Sequence, residues 1–505
     1  NRVVNANDPW FDPNSDVYVG TTVPYNPFGY FANPIPSNSV VAPLALVALK
    51  DRNESELYGA DFTVTNGELF SLPGGYAGIA IGIEGRREAI LQSPDGLSAT
   101  GDVIGSSTAN ITDAKRDIRA GFIELNMPIF SADNDTPGAH SLNLNIAGRY
   151  EDFTTQNDSI FVPKFALKWQ PFDDSFVIRG SWGEGYRQPS MYELYASGLT
   201  FSLSEINDPL NVVNEPEQDT TVRSSPDLRA EESTTWTVGF VWTPNFLQTD
   251  TSALTFGIDW FDITRNGNVT VDHQDVVDRD FRGDPLLPGE SVQRDASSNI
   301  VLVNGVFRNL GNELGSGMDI QLSYFFVNDN WGRWDFGLNA SYLDSYMIQQ
   351  FPGAPFFEYK GEMSDILFDN ISGNPSPGRG DDAYLEWRGV GFIRWSKDAM
   401  NLSIQGNYLD GFRDFKSEWD PGDPLNPAGF NQVDSTLTWD ANFTYSLFED
   451  SEGWWGDLRA TIGIRNIFDT EPPRVESWDN NSTGYAGFIY SPLGRFVHLS
   501  LTKKL

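Results

Sequence analysis

Hydrophobic residues recur at every second position over segments about ten residues long, the period of a β-strand with two unlike faces. In YAGIAIGIEGRRE, which begins at Tyr76, Ala77, Ile79, Ile81 and Ile83 share one face, and Gly78, Ala80, Gly82, Glu84 and Arg86 the other. FIELNMPIF sets Ile123, Leu125, Met127 and Ile129 against Phe122, Glu124, Asn126 and Pro128, and SLNLNIAGRY sets Leu142, Leu144 and Ile146 against Asn143, Asn145 and Arg149. The same beat returns in Phe165, Leu167 and Trp169; in Trp236, Val238, Phe240 and Trp242; in Met318, Ile320, Leu322 and Tyr324; and in Leu437, Trp439, Ala441, Phe443 and Tyr445. In the closing RFVHLSLTKKL, Val497, Leu499, Leu501 and Leu505 alternate with His498, Ser500, Thr502 and Lys504. The pattern predicts an all-β chain of about fifteen strands, with residues 301–327 as one bent strand or two.

The connections alternate in length. Short turns are expected at 131–138, 170–174, 243–252, 327–332, 396–399 and 449–457, and long polar loops at roughly 89–116, 187–230, 273–300, 347–382, 412–433 and 469–492. If the strands run up and down, the short turns gather at one end and the long loops at the other, as in an outer-membrane antiparallel β-barrel. Trp169, Trp242, Trp334 and Trp395 lie near short turns and share the apolar parity, and Trp454 and Trp455 sit in such a turn. That ring fits an interfacial girdle. A soluble β-protein with a Trp-filled core is the competing reading.

Composition narrows the choice. The 505 residues include 34 Lys and Arg, 70 Asp and Glu, 3 His and no Cys, a net charge of −36. Disulfides, thiolate metal sites and cysteine nucleophiles are excluded, and no nucleic-acid partner is expected, because phosphate binding relies on clustered cations. The longest apolar stretch, residues 40–49, falls short of the roughly 18–20 residues of a membrane helix. There is no phosphate-binding loop, no nucleophile elbow and no coherent catalytic set, so the chain is not read as an enzyme.

Several segments resemble the TonB-dependent outer-membrane transporters. RGSWGEGYRQPSMYELY (179–195) is similar to the family's strand-then-loop segment, with Tyr186, Arg187, Gln188, Pro189 and Ser190 as its signature. LRAEESTTWTVGF (228–240) resembles the segment that re-enters the barrel, and NLGNELGSGMDIQLSYFF (309–326) the Asn-x-Gly, Gly-x-Glu segment, with Asp319 where Glu is usual. GIRNIFDTEPPRV (463–475) and PLGRFVHLSLTKKL resemble the last two strands, although the chain ends in Leu505 where an aromatic residue is usual. The stretch from YNPFGYF to GIEGRRE is similar to a subgroup that imports glycans or other complex nutrients.

The resemblance implies one barrel domain over residues 1–505, with 1–55 as a long external loop, in the bacterial outer membrane. About fifteen of an expected 22 strands are visible, and neither the family's plug domain nor its TonB-engaging motif is. Asn1 is therefore expected not to be the biological start. The partners implied are outer-membrane lipid, the missing strands and plug from this protein or another chain, TonB through that plug, a surface lipoprotein, and a small or oligomeric nutrient. A passive porin or structural barrel is the alternative, and a soluble β-rich glycan-binding protein or hydrolase a further one.

Candidate ligand contacts are loop aromatics that stack on sugars or apolar groups: Tyr192, Tyr195, Phe201, Phe356, Phe357, Tyr359, Phe415, Trp419, Trp478 and Tyr485. Their competing role is packing of the loops on themselves. The loops at 187–230, 347–382 and 412–433 are expected to converge over the lumen. No cofactor is expected beyond Ca2+ in external loops, for which Asp272, Asp275, Asp278, Asp280, Asp381 and Asp382 supply oxygens. Solvated loop charge is the competing reading there.

Overall fold

Alternation over the whole length becomes a single wall. The computed structural model describes residues 48–100, 111–134, 136–154, 158–196, 199–204, 206, 208–210, 218–349, 351–363, 383–415, 430–447, 458–475, 484–487 and 489–503. Eight wall strands come first: Arg52–Leu72, Gly75–Ser93, Thr112–Phe130, Ser141–Phe153, Asp158–Gln170, Phe176–Arg187, Glu231–Trp242 and Ser252–Thr270. Seven follow: Arg308–Asn328, Gly332–Gln349, Trp387–Lys397, Met400–Leu409, Thr436–Leu447, Leu458–Arg465 and Phe496–Lys503. These strands neighbour one another in chain order. Representative pairs from the start, middle and end of the wall are all antiparallel. Among the described residues, Arg52–Leu72 and Phe496–Lys503 each have one wall neighbour, so both outer edges carry unpaired main-chain groups.

The short connections, including 73–74, 171–175, 329–331 and 398–399, lie at the end where the last strand finishes, and the long connections lie at the other together with one short one. The exception joins Ser141–Phe153 to Asp158–Gln170 at the long-loop end through four residues, which the connection-length pattern does not anticipate. The tight turns show their chemistry. Gly74 donates from its N–H to the Ile129 carbonyl at 3.1 Å, and a Cβ on it would lie 2.5 Å from the Pro128 oxygen, so only glycine fits. Asp398 takes a positive φ in the connection 398–399.

The two faces separate as the alternation predicts. Ile81, Ile83, Ile123, Phe165, Val238, Leu322, Ile393, Phe443 and Ile462 are exposed on the outer face. Polar pairs occupy the other: Ser181 and Thr237 hydroxyls at 2.6 Å, and Thr444 and Thr461 hydroxyls at 2.9 Å, join neighbouring strands. Trp169, Trp242, Trp334 and Trp395 lie at the short-turn end, where the Trp169 indole donates to the Gly138 carbonyl and the Trp395 indole to that of Trp331. A second aromatic row, not read from the sequence, lies toward the long-loop end, with Trp182 beside Trp236 and Tyr342 beside Trp387. Trp387 and Trp395 are eight residues apart on one strand. At about 3.3 Å per residue and a ~40° tilt this is ~20 Å across the wall, close to the ~25 Å apolar band of such barrels.

The long connections fold into two packed caps. In the first, strands Leu199–Ser204, Gln218–Arg223, Ser291–Arg294 and Ile300–Val306 form a separate sheet, in which Gln218–Arg223 and Ile300–Val306 run parallel. Its core is Ile206, Val276, Val277, Ile300 and Val303. Residues 301–327 are therefore two strands rather than one bent one: Ile300–Val306 belongs to the cap and Arg308–Asn328 to the wall. The second cap joins Glu362–Met363, Phe412–Phe415 and Phe430–Val433 around Met363, Leu385, Phe412, Val433, Val475, Ala486 and Tyr490.

Candidate functional site

The long-loop end is the place to look for a ligand, and its roots are fastened by the residues that carry the family resemblance. Ser190 opens the helix Met191–Tyr195 with a capping box: its hydroxyl accepts from the Glu193 N–H at 3.2 Å, and its own N–H donates to the Glu193 carboxylate at 2.7 Å. Arg187 forks onto the same carboxylate at 3.0 and 3.1 Å and also holds Glu231, whose carboxylate accepts from the Val269 N–H at 2.7 Å. Arg116 donates to the Pro189 carbonyl at 2.8 Å. Asn309 ties the next segment by accepting from the Arg229 N–H and donating to the Arg229 and Gly267 carbonyls. Asn466, at positive φ, closes a local ring with Thr470 through two 2.8 Å bonds.

Below the rim, the inner wall carries alternating charges. Arg86 reaches Glu84, Glu88 and Glu151, Arg149 reaches Glu84 and Glu151, and Arg116 reaches Glu88. Three arginines against three carboxylates leave this patch self-neutralised, a stiff lining with no spare charge for an ionic ligand.

The predicted rings divide between the caps. Tyr192 and Tyr195 are half-buried on the short helix at the root of the first, and Tyr192 meets Phe307 edge-on at 6.5 Å. Phe356 is exposed, Phe357 half-buried and Tyr359 buried. Tyr485 packs against the second cap's core. Trp419 and Trp478 lie outside the described residues, as do the side chains of Phe201 and Phe415. Sequence reading passed over the closest ring contact of this region: Tyr346 and Tyr384 stack at 4.3 Å, with Tyr359 edge-on to Tyr384 at 6.2 Å. Tyr346 continues an alternating strand and Tyr384 lies three residues before the next, Trp387–Lys397, so neither stands out as a loop aromatic.

The acidic run at 272–280 is not an open loop. Asp272 caps the helix His273–Arg282, accepting from the Asp275 N–H at 2.8 Å, and Gly283 ends it in the left-handed conformation. Asp275 receives Arg279 and Arg308, and Asp278 accepts from Gln274. Asp280 is exposed on the last turn. Asp381 and Asp382 lie outside the described residues. Burial pushes the Asp272 carboxyl above its ordinary range and the His273 imidazole below its own. Among the described residues no three His, Cys, Asp or Glu side chains gather as a metal site.

Comparison with known proteins agrees with this architecture. No curated protein matches the sequence. The fold is similar to the siderophore receptor PirA of Acinetobacter baumannii, at 15% identity and a TM-score of 0.56, over 89% of this chain and 55% of that one. It is also similar to the ferric enterobactin receptor PfeA of Pseudomonas aeruginosa, solved as a variant in complex with enterobactin, at 13% identity and a TM-score of 0.56, over 90% and 54%. The chain spans about half the length of these solved receptors. The family model described as TonB dependent receptor-like, beta-barrel matches residues 4–491. Nearly the whole chain is thus accounted for, and it belongs to the TonB-dependent receptor β-barrel family, whose members are receptors of the bacterial outer membrane and not enzymes.

Proposed function

We propose that this chain forms the wall and external caps of an outer-membrane transporter driven by TonB through a plug seated in the lumen, and that it imports a complex, largely uncharged nutrient of the glycan class. The observation that carries this reading is the gathering of aromatic rings in packed caps at one end of a membrane-type wall. Rings stack on sugar faces while neighbouring polar groups fix orientation. Charge argues the same way. A chain of net charge −36 repels polyanions, including anionic metal chelates, more than neutral oligosaccharides.

Further strands pair with the two free edges, since an unpaired main-chain group facing lipid costs several kcal/mol. Uptake of labelled oligosaccharides by cells carrying the full-length protein, with and without TonB, tests the reading. Uptake that collapses without TonB supports it. Uptake indifferent to TonB replaces it with a passive porin, and TonB-dependent uptake of a ferric chelate alone overturns the glycan assignment.

A further inference from the structure

The outer face of the wall is not uniformly convex. Across Gly332–Gln349, Trp387–Lys397, Met400–Leu409 and Thr436–Leu447 it sinks into an apolar trough of about 530 Å3. Its floor is made by residues with little or no side chain. Gly389, Gly391 and Gly406 lie on the two central strands, with Ala340 beside Gly389 in register. The flanks are large: Leu338 on one side, Leu437 and Trp439 on the other. The Trp439 ring leans over Gly406, about 3.1 Å from where a Cβ would stand. Trp387 and Tyr408 close the end toward the long loops, and Ile393 and Ile404 the opposite end.

The dimensions identify the occupant. Trp387 to Ile393 is six residues, ~20 Å along the strand and ~15 Å along the membrane normal at a tilt near 40°. That is about half of a hydrocarbon core ~30 Å thick, one leaflet and one acyl chain deep. The side chains lining this face are almost all apolar or aromatic, which favours an apolar occupant.

The outer end carries the second observation. Lys360 places its ammonium 5.9 Å from the centre of the Tyr342 ring, which itself lies 4.7 Å from Trp387. The Lys360 main-chain N–H donates to the Glu358 carboxylate at 3.0 Å, and its ammonium lies within electrostatic reach of that group. A cation therefore stands over the aromatic rim where a lipid headgroup would lie.

We infer that the trough seats one acyl chain of an anionic lipid of the outer leaflet, with Lys360 holding the headgroup's phosphate or carboxylate. The inference rests on the outer-membrane reading and adds a lipid site that is separate from nutrient capture. Bulk lipid wets any such wall. The trough differs by offering a slot of one chain's depth, and the lysine makes the slot selective.

The test uses the full-length protein, stripped of lipid and titrated with phosphatidylglycerol or phosphatidylcholine, with bound lipid counted by native mass spectrometry. Three forms are compared: wild type, Gly391→Leu and Lys360→Gln. A Cβ at Gly391 meets nothing closer than 3.8 Å, so leucine fills the trough without disturbing the strand. Wild type is expected to retain one phosphatidylglycerol at least about 5-fold more tightly than phosphatidylcholine, a difference near 1 kcal/mol. Gly391→Leu should lose that lipid whichever headgroup it carries, and Lys360→Gln should keep a lipid but lose the preference. Retention unchanged in Gly391→Leu overturns the acyl slot, and a preference unchanged in Lys360→Gln overturns the headgroup assignment. Insertion of all three forms as heat-modifiable barrels is scored separately. Failure of wild type to insert would sink the outer-membrane reading, whereas normal insertion without selective retention sinks only this inference.

Discussion

The side-chain amide of Asn309 clasps the backbone of Arg229, accepting from its N–H at 2.9 Å and donating to its carbonyl at 3.0 Å across 80 residues of sequence. One amide thereby fixes where the first cap's chain returns to the wall, and its remaining donor takes the Gly267 carbonyl at 2.7 Å. Asn309→Ala removes three bonds and leaves three main-chain groups seeking water. Stability should fall by about 1–3 kcal/mol, because part of the root is solvent-accessible and the freed groups are partly rehydrated. Denaturant unfolding from lipid vesicles measures this; a change below about 0.5 kcal/mol would show that the clasp only decorates a root already fixed by pairing.

Arg187 is a more demanding partner than a simple cation. It forks onto Glu193 while holding Glu231, whose side chain is only 4% exposed. Lysine presents a point charge and cannot span both carboxylates. Arg187→Lys should therefore lose most of what Arg187→Ala loses. Removing one partner of a fully buried pair costs about 3–5 kcal/mol, and the partial exposure of Arg187 reduces the expected loss to about 1–3 kcal/mol. Hydrogen exchange at the Val269 amide, which donates to Glu231, is the local readout. Full protection of that amide in Arg187→Lys would refute the fork.

The first cap should respond to acid through two neighbours of opposite sign. Burial holds the His273 imidazole below its ordinary range, so its neutral form stabilises the cap, and that contribution is lost as pH falls below about 6.5 toward the depressed value. Asp272 has a raised value, so its carboxylate weakens the cap at neutral pH and the penalty lifts as pH falls toward that raised range. Asp272→Asn removes the second effect. Its core amides at Val276 and Val303 should lose protection between pH 7 and 5.5 more steeply than those of wild type. Flat profiles in the variant would mean that His273 is not held neutral.

What the sequence disclosed follows from where each signal resides. Strands such as Glu231–Trp242 expose one face outward along the whole wall, so Trp236 and Val238 announce the period by themselves. The helix His273–Arg282 buries only Val276 and Val277, and two adjacent apolar residues give no helical repeat over its ten positions. Its signs were the Asp272 cap and Gly283. The cap sheet was hidden for another reason: its central pairing, of Gln218–Arg223 with Ile300–Val306, is parallel and joins strands about eighty residues apart. The resemblance motifs were readable as segments, but the role of Arg187 depends on Glu231, which alternation cannot bring to it. Of the proposed ligand rings, Tyr359 is legible as an aromatic; its burial against Tyr384 is decided by packing between loops.

The last strand separates the two faces most sharply. Leu499 is 72% exposed and lies opposite Ile462, itself exposed on the outer face, whereas Ser500 lies opposite Thr461, whose hydroxyl meets that of Thr444 on the inner face. The two residues are adjacent, so depth and charge are matched when each is replaced by arginine. On the lipid side near the midplane arginine costs about 2–4 kcal/mol, while an inward arginine stays hydrated in the lumen. Leu499→Arg should therefore reduce the folded, heat-modifiable fraction in membranes by roughly tenfold or more, a factor corresponding to at least about 1.4 kcal/mol, and Ser500→Arg should reduce it far less. The free edge of this strand offers arginine an escape by tilting toward the neighbouring strand, so the full-length protein, in which that edge is paired, is the form to measure. Equal losses would place Ser500 against packed protein, and a greater loss for Ser500→Arg would reverse the two faces.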